Sequence, residues 1–229
     1  MTWLVTGANG QLGKAFQRCL LTRKNVRFLD RSVFDLKESA KISDVLCRQQ
    51  PSVIINCAAY TNVDNAELEP KKANNINNLA VANFAHISKE RNIKLVHIST
   101  DYVFEGKNIR PYVESDITNP QSVYGTTKLR GEIALKEVNP KNSIIIRTSW
   151  VYSKFGENFI KTMLNLAETK SEINVVNDQI GSPTNAADLA KAILNIIPKI
   201  QNNIVEIYHY SNEGNCSWYQ LAKAIFEIM

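Results

Sequence analysis

The sequence predicts an α/β fold: a doubly wound parallel sheet of the Rossmann type, with a smaller C-terminal substrate lobe interleaved with it. Three observations predict this. Short runs such as Trp3-Leu4-Val5, Val53-Ile54-Ile55 and Ile144-Ile145-Ile146 are continuously apolar, as strands buried on both faces must be. Segments with helical periodicity separate these runs, and strand–helix alternation gives a parallel sheet. Finally, Gly7, Gly10 and Gly13 follow the first apolar run and open the first helical segment, at the place where such sheets bind ligands.

In chain order, the first strand is Thr2–Thr6. A helix from Gln11 to Thr22 follows, with Leu12, Ala15, Phe16, Cys19 and Leu20 on one stripe. Val26–Leu29 is the second strand. Ala40–Arg48 is helical, and Pro51 precedes the third strand, 53–56. One long helix is expected over Lys71–Glu90, then a strand over 94–98. Asn119-Pro120 is expected to cap the helix that carries Tyr124, with proline at its first position. A fifth strand covers 143–147. Beyond Trp150 the rhythm changes: helices are expected over Phe159–Glu168 and Ala186–Ile197, a polar connection over Val175–Thr184, and a strand over Val205–His209. The division drawn is 1–150 for dinucleotide binding and 151–229 for the substrate lobe.

With 229 residues, 44% hydrophobic and 21% charged, the composition is that of an ordinary globular protein with a sizeable core. The four cysteines, Cys19, Cys47, Cys57 and Cys216, and three isolated histidines offer no zinc-ligand spacing, so no metal is expected. Scattered thiols suit a reducing compartment. With the first strand at Thr2 leaving no room for a leader and no membrane-length apolar run, a cytoplasmic protein without membrane contact is expected. The net charge of +5 is mild; it suits an anionic small ligand, and no interleaved aromatic-and-basic stretch points to nucleic acid.

The glycine turn supplies a pyrophosphate seat. Gly7 allows the turn, Gly10 lets a phosphate approach the backbone, and Gly13 lets helix and strand pack closely. The second strand ends in Asp30-Arg31; an acid there suits a ribose 2′-hydroxyl and an arginine a 2′-phosphate, so both NADH and NADPH remain open. Asp35-Leu36 lies on the next loop, placed for the adenine ring. The third strand runs into the small residues of Asn56-Cys-Ala-Ala-Tyr-Thr61, against which a cofactor can lie.

Tyr124 and Lys128 share a helix face, offset by ~6 Å along the axis. A phenol beside an ammonium is expected to titrate closer to neutral pH and to serve as a general acid. Thr100, with Ser99 in reserve, closes the fourth strand, where a hydroxyl can orient a substrate carbonyl.

These motifs resemble those of the extended short-chain dehydrogenase/reductase superfamily and, within it, the dTDP-4-dehydrorhamnose reductase family. The matching stretches include Thr6–Gly13, Asn56–Glu67, Ser99–Gly106, Asn119–Lys128, Arg147–Tyr152 and Asp178–Thr184, spanning nearly the whole chain. The resemblance implies reduction of the 4-keto group of dTDP-4-dehydro-L-rhamnose by hydride from NADPH or NADH, with Tyr124 as proton donor, Lys128 its partner and Thr100 the carbonyl orienter. It implies cofactor contacts at Gly10, Gln11, Leu12, Asp30, Asp35, Leu36, Ala59, Tyr60 and Thr61, and sugar contacts at Val63, Thr100, Asp101 and Trp150. Two departures stand out. The family continues past the position of Met229 with a segment near the sugar nucleotide, which implies an incomplete lobe. Relatives that bridge a dimer through Mg²⁺ place glutamates where Ala15 and Ala187 stand, which implies a monomer or a metal-independent dimer. A nucleotide-sugar epimerase or dehydratase, and a non-catalytic binding subunit, are the alternatives.

Overall fold

The computed structural model describes residues 2–228, with the side chains of 39–41 outside the description. Met1 and Met229, the outer ends of the two expected units, lie outside the described residues. The main sheet takes β1 (Thr2–Thr6), β2 (Val26–Leu29), β3 (Pro51–Asn56), β4 (Lys94–Thr100), β5 (Ser143–Thr148) and β9 (Glu206–His209) in the order β2-β1-β3-β4-β5-β9, and every pairing is parallel. The order reverses at β1, so β1 and β3 diverge into connections on opposite faces and leave a crevice at their carboxyl ends.

Two apolar layers sandwich the sheet. On one face α1 (Gln11–Cys19) and α8 (Ala186–Ile196) pack with Trp3, Val5, Phe16, Ile55, Val96 and Ile144. On the other, α2 (Ser39–Gln49), α5 (Ala80–Arg91) and α6 (Val123–Val138) cover Leu4, Ile54, Leu95 and Ile145. The segment after Trp150 thus feeds both parts: α8 and β9 complete the main layers. Short strands β6 (Val151–Tyr152), β7 (Ile180–Gly181), β8 (Thr184–Asn185) and β10 (Cys216–Ser217), with α7 (Phe159–Ala167) and α9 (Trp218–Ile228), build the remainder.

Four expectations need correction. The helix expected over 71–90 is instead α4 (Pro70–Asn74), a π segment (Asn75–Leu79) and α5 in succession, with a separate α3 (Val63–Leu68) before them. The widened π turn turns Asn77 inward, where its amide accepts Tyr60 N–H (2.8 Å) and donates to Tyr60 C=O (3.1 Å) and Thr127 Oγ1 (3.2 Å). A Cβ on Gly131 of α6 would stand 2.2 Å from the Asn77 carbonyl oxygen, so only glycine lets the two helices approach this closely.

The helix carrying Tyr124 does not begin at Asn119-Pro120. It begins at Val123, because Ser122 Oγ accepts the Gly125 N–H at 3.1 Å and so caps it, while Asn119 N–H is bound to Val103 C=O. The connection over 175–184 contains β7 and the start of β8, each held by a partner strand distant in sequence. The fourth strand, drawn over 94–98, runs to Thr100, the residue expected to close it.

Candidate active site

The carboxyl ends of β1, β3 and β4 open onto one cleft of about 810 Å³. Every residue singled out for cofactor or substrate lines it: Gly7 to Gly13, Asp30 and Arg31, Asp35 and Leu36, Ala59 to Thr61, Val63, Thr100 and Asp101, Tyr124 and Lys128, and Trp150, with Ala8 and Lys14 off the wall. The volume falls within the range of ordinary ligand pockets.

The glycine turn fits a dinucleotide's phosphates on three counts. Gly7 has φ +68°, and a Cβ there would meet the Ala58 backbone at 2.8 Å. A Cβ on Gly13 would stand 2.2 Å from the Gly7 carbonyl oxygen, so the turn lies flush on α1. Gly10, the N-cap of α1, offers no side-chain cap, and the first turn holds no acid, so the helix N–H groups and their positive dipole end face the cleft unneutralised.

Asp30 behaves differently from a free ribose ligand. Its Oδ1 accepts Ser32 N–H and O–H and the Val33 N–H, and its Oδ2 accepts from Asn9 Nδ2 (2.8 Å). Those bonds, the Ser32 hydroxyl's above all, hold its carboxyl below the usual range and fasten the loop after β2. Arg31 is largely exposed at the rim, with Asp35 Oδ2 3.8 Å from its Nε.

Thr100, Asp101 and Tyr124 form one cluster. Thr100 Oγ1 donates to Asp101 Oδ1 (3.0 Å) and accepts the Tyr102 N–H (3.2 Å), and the Tyr124 phenol lines the same cleft, where Thr100 lowers and Asp101 raises its hold on the proton. Tyr102 meets Tyr124 edge-on, ring centroids 5.5 Å apart. Lys128 is almost fully buried one turn along α6, and its Nζ donates to Ile98 C=O at 2.6 Å.

The electrostatics depart from expectation. Burial raises the Tyr124 phenol above its ordinary value, Thr100 opposing and the Asp101 charge adding to the rise, so the lysine does not bring it toward neutrality. Lys128 is directed into β4, and its own value is lowered to about 8, by burial first, with Glu132 and Cys57 pulling the other way. The proton is therefore more weakly held on the amine and more tightly on the phenol than a simple paired arrangement gives.

Asp101 is raised to about 6, by burial, the Thr100 bond opposing. A carboxyl raised in the fold contributes stability that is complete below its unfolded value of 3.8 and lost as pH rises through 6. Asp101→Asn should therefore unfold at higher urea than the parent above about pH 6, by roughly 1–3 kcal/mol, and match it near pH 3. Equal midpoints at neutral pH would show that water reaches the carboxylate.

Trp150 closes the far side. It has φ +47°, unusual for so bulky a residue, and its indole stacks on Trp218 at 3.4 Å and 10°. Phe159 also packs on Trp218, ring centroids 4.4 Å apart, and a Cβ on Gly181 would meet the Trp150 ring at 2.4 Å. Trp218 itself lines the cleft, as do Ser32, Thr148, Gly156 and Glu157, all missed by sequence reasoning. Nothing local marks Trp218; only the fold of the last segment brings it to Trp150.

A family model described as the RmlD substrate binding domain matches residues 1–229. The chain is 44% identical to the spore coat polysaccharide biosynthesis protein SpsK of Bacillus subtilis, over 98% of this chain and 78% of that protein. It is 42% identical to the dTDP-4-dehydrorhamnose reductase of Aggregatibacter actinomycetemcomitans, with the same coverage. Among solved structures, a Clostridium acetobutylicum dTDP-4-dehydrorhamnose reductase superposes with a TM-score of 0.93 at 41% identity, covering 100% of this chain and 80% of that one. A Bacillus anthracis dTDP-4-dehydrorhamnose reductase in complex with NADP gives 0.92 at 42%, covering 99% and 80%. The chain belongs to the RmlD substrate binding domain family.

Proposed function

We infer that this protein reduces the 4-keto group of dTDP-4-dehydro-L-rhamnose to dTDP-L-rhamnose with NADPH or NADH. The observation that carries the reading is the single cleft in which an uncapped α1 N-terminus and glycine turn face Thr100, Tyr124 and Lys128. The names of the relatives at about 40% identity support the sugar, and the NADP complex of the Bacillus anthracis enzyme supports the cofactor.

NAD(P)H, when bound, supplies the hydride. The backbone N–H groups of Gln11 and Leu12 at the start of α1 would hold its phosphates, and the small residues Ala58 and Ala59 would leave it room beside β3. Thr100 orients the substrate carbonyl, and Tyr124 gives its phenolic proton to the oxygen as negative charge develops there. A phenol held protonated by burial is always loaded as a donor at neutral pH. Trp150, braced by Trp218, forms the apolar wall for the sugar together with Val63, and Asp101 sits beside Thr100 to receive a sugar hydroxyl. On this reading residues 1–150 carry the dinucleotide and most of the sugar contacts, and 151–229 add Trp218 to the sugar side while giving α8 and β9 to the main layers.

Mixing the protein, NADPH and the keto sugar nucleotide made in situ should consume NADPH absorbance and yield dTDP-L-rhamnose, with the C4 ketone reduced to an alcohol. Absence of consumption at saturating concentrations of both would overturn the assignment. Since Asp30 is engaged by the loop's own donors while Arg31 is free to swing, Arg31→Ala should weaken NADPH binding by roughly 10- to 100-fold and leave NADH nearly unchanged. Equal losses for the two in a fluorescence titration would remove Arg31 from phosphate recognition.

The same reading places the enzyme in the cytoplasm; among the described residues no helix is long and apolar enough to cross a membrane. It also assigns a monomer or a dimer that needs no divalent cation. Ala15 is packed into the α1–α8 core, where a carboxylate has no room to reach a metal.

A further inference from the structure

Behind Lys128 a line of buried polar side chains runs across three neighbouring strands to the glycine turn. The Ala58 N–H is bound by Thr6 Oγ1 (3.3 Å), and the Thr6 hydroxyl donates to Asn56 Oδ1 (2.7 Å). The Asn56 amide nitrogen faces His97 Nδ1 at 3.1 Å, and His97 Nε2 faces Lys128 Nζ at 3.4 Å. Thr6, Asn56, His97 and Lys128 are each 0 or 1% exposed, so water does not complete this line. Neither Thr6, Asn56 nor His97 lines the cleft.

The chemistry of the line fixes its direction. The Asn56 oxygen is taken by the Thr6 hydroxyl, so the amide presents its N–H to His97. His97 Nδ1 must then accept. Burial, and after it the Lys128 charge, hold the imidazole well below its ordinary value, so the ring is neutral and its one proton sits on Nε2. That N–H is aimed at Lys128 Nζ. An ammonium has no lone pair to receive it, whereas an uncharged amine does.

We propose that His97 is a positioning residue for the reduction, locked by Thr6 and Asn56 as an Nε2–H donor that makes Lys128 a lysine able to give up its proton. The inference rests on the reductase reading given above. When Tyr124 has passed its proton to the substrate oxygen, the Lys128 N–H bond breaks and the phenolic O–H bond re-forms. The amine left behind accepts the His97 Nε2–H, and solvent water later returns the proton to the lysine. The charged and titratable groups around Lys128 are Glu132 on α6, Cys57 just past β3 and His97 on β4, with Tyr124 one turn before it on α6. Of these, Glu132 and Cys57 favour the charged lysine, and the His97 Nε2–H is the side-chain donor that stands within hydrogen-bond distance of the amine.

The test is the alkaline limb of the kcat–pH profile, which ends where Lys128 loses its proton. His97→Leu removes the donor to the amine, so the limb should move up by about one pH unit, with KM for the sugar nucleotide changed little. His97→Gln, whose oxygen can accept from Asn56 and whose nitrogen can still donate, should keep the limb within about 0.3 unit of the parent. A limb that stays put in the leucine variant, moves down in it, or moves equally in both overturns the proposal.

A second measurement uses the unmodified protein and covers a leucine variant that fails to fold. Nitrogen-15 NMR of labelled histidine should show His97 as the neutral Nε2–H tautomer from about pH 6 to 9. An Nδ1–H tautomer or an imidazolium overturns the proposal. The NMR result does not depend on turnover, so absence of reductase activity in the parent would sink the functional reading without being mistaken for failure of the His97 assignment.

Discussion

Tyr124→Phe is expected to fold normally, bind NADPH with unchanged affinity and lose about 10²- to 10⁴-fold in kcat. The ring is buried against Tyr102 and in a cluster with Ala66 and Ala73, so it fills the same space after the change. Only the hydroxyl is lost, and with it the proton donor in the cleft. The Thr100 hydroxyl retains its bond to Asp101, so no buried donor is stranded by the substitution. Single-turnover rates, together with NADPH titration and a circular dichroism melt, separate loss of chemistry from loss of fold. A kcat within threefold of the parent at unchanged NADPH affinity would remove Tyr124 from the mechanism.

The parallel sheet and the position of the cleft were legible because both rest on local signals. Continuously apolar strands such as Val53–Ile55 and Ile144–Ile146 sit fully buried between two helical layers. The glycine spacing fixes the turn through contacts no larger residue tolerates. Misread places have non-local causes. The π turn at Asn75–Leu79 exists because Asn77 is needed by Tyr60 and by Thr127, seventeen and fifty residues away in sequence. Asn119-Pro120 carries a good capping pattern, yet Ser122 wins since its oxygen reaches the Gly125 N–H and Asn119 is already tied to Val103. Tyr124 and Lys128 do share a face, but spacing does not reveal that the amine turns toward the Ile98 carbonyl and His97. Trp218 joins the cleft only through its stack on Trp150.

Strands β4 and β5 are held to α6 by charge as well as by apolar contact. Arg147 on β5 reaches Glu132 on α6 with Nε at 3.0 and 3.2 Å from its two oxygens and Nη2 at 2.7 Å, while Ser99 on β4 donates to the same carboxylate. The guanidinium also lies over the Phe104 ring, 5.0 Å from its centroid. This pair therefore ties the helix bearing Tyr124 and Lys128 to the two strands beneath it.

Glu132→Ala should be the most destabilising change among those considered, by about 3–5 kcal/mol in urea unfolding, a large share of a typical domain's stability. The two side chains are 2% and 5% exposed, so removing the carboxylate leaves Arg147 charged where water does not reach, with only the Glu114 carbonyl at 3.5 Å and the Phe104 ring beside it. Desolvation of that guanidinium, not the lost attraction, sets the size of the effect. Replacing both partners tests the argument: Glu132→Leu combined with Arg147→Met should recover most of the loss, because no buried charge remains. The double variant should nonetheless turn over more slowly at high pH, since the Glu132 charge helps hold the proton on Lys128 one turn away. A Glu132→Ala variant that loses less than about 1 kcal/mol at an unchanged urea slope would mean that solvent or a shifted backbone carbonyl takes the carboxylate's place. In that case the pair would be incidental to the fold, and the placement of α6 over β4 and β5 would rest on the apolar layer alone.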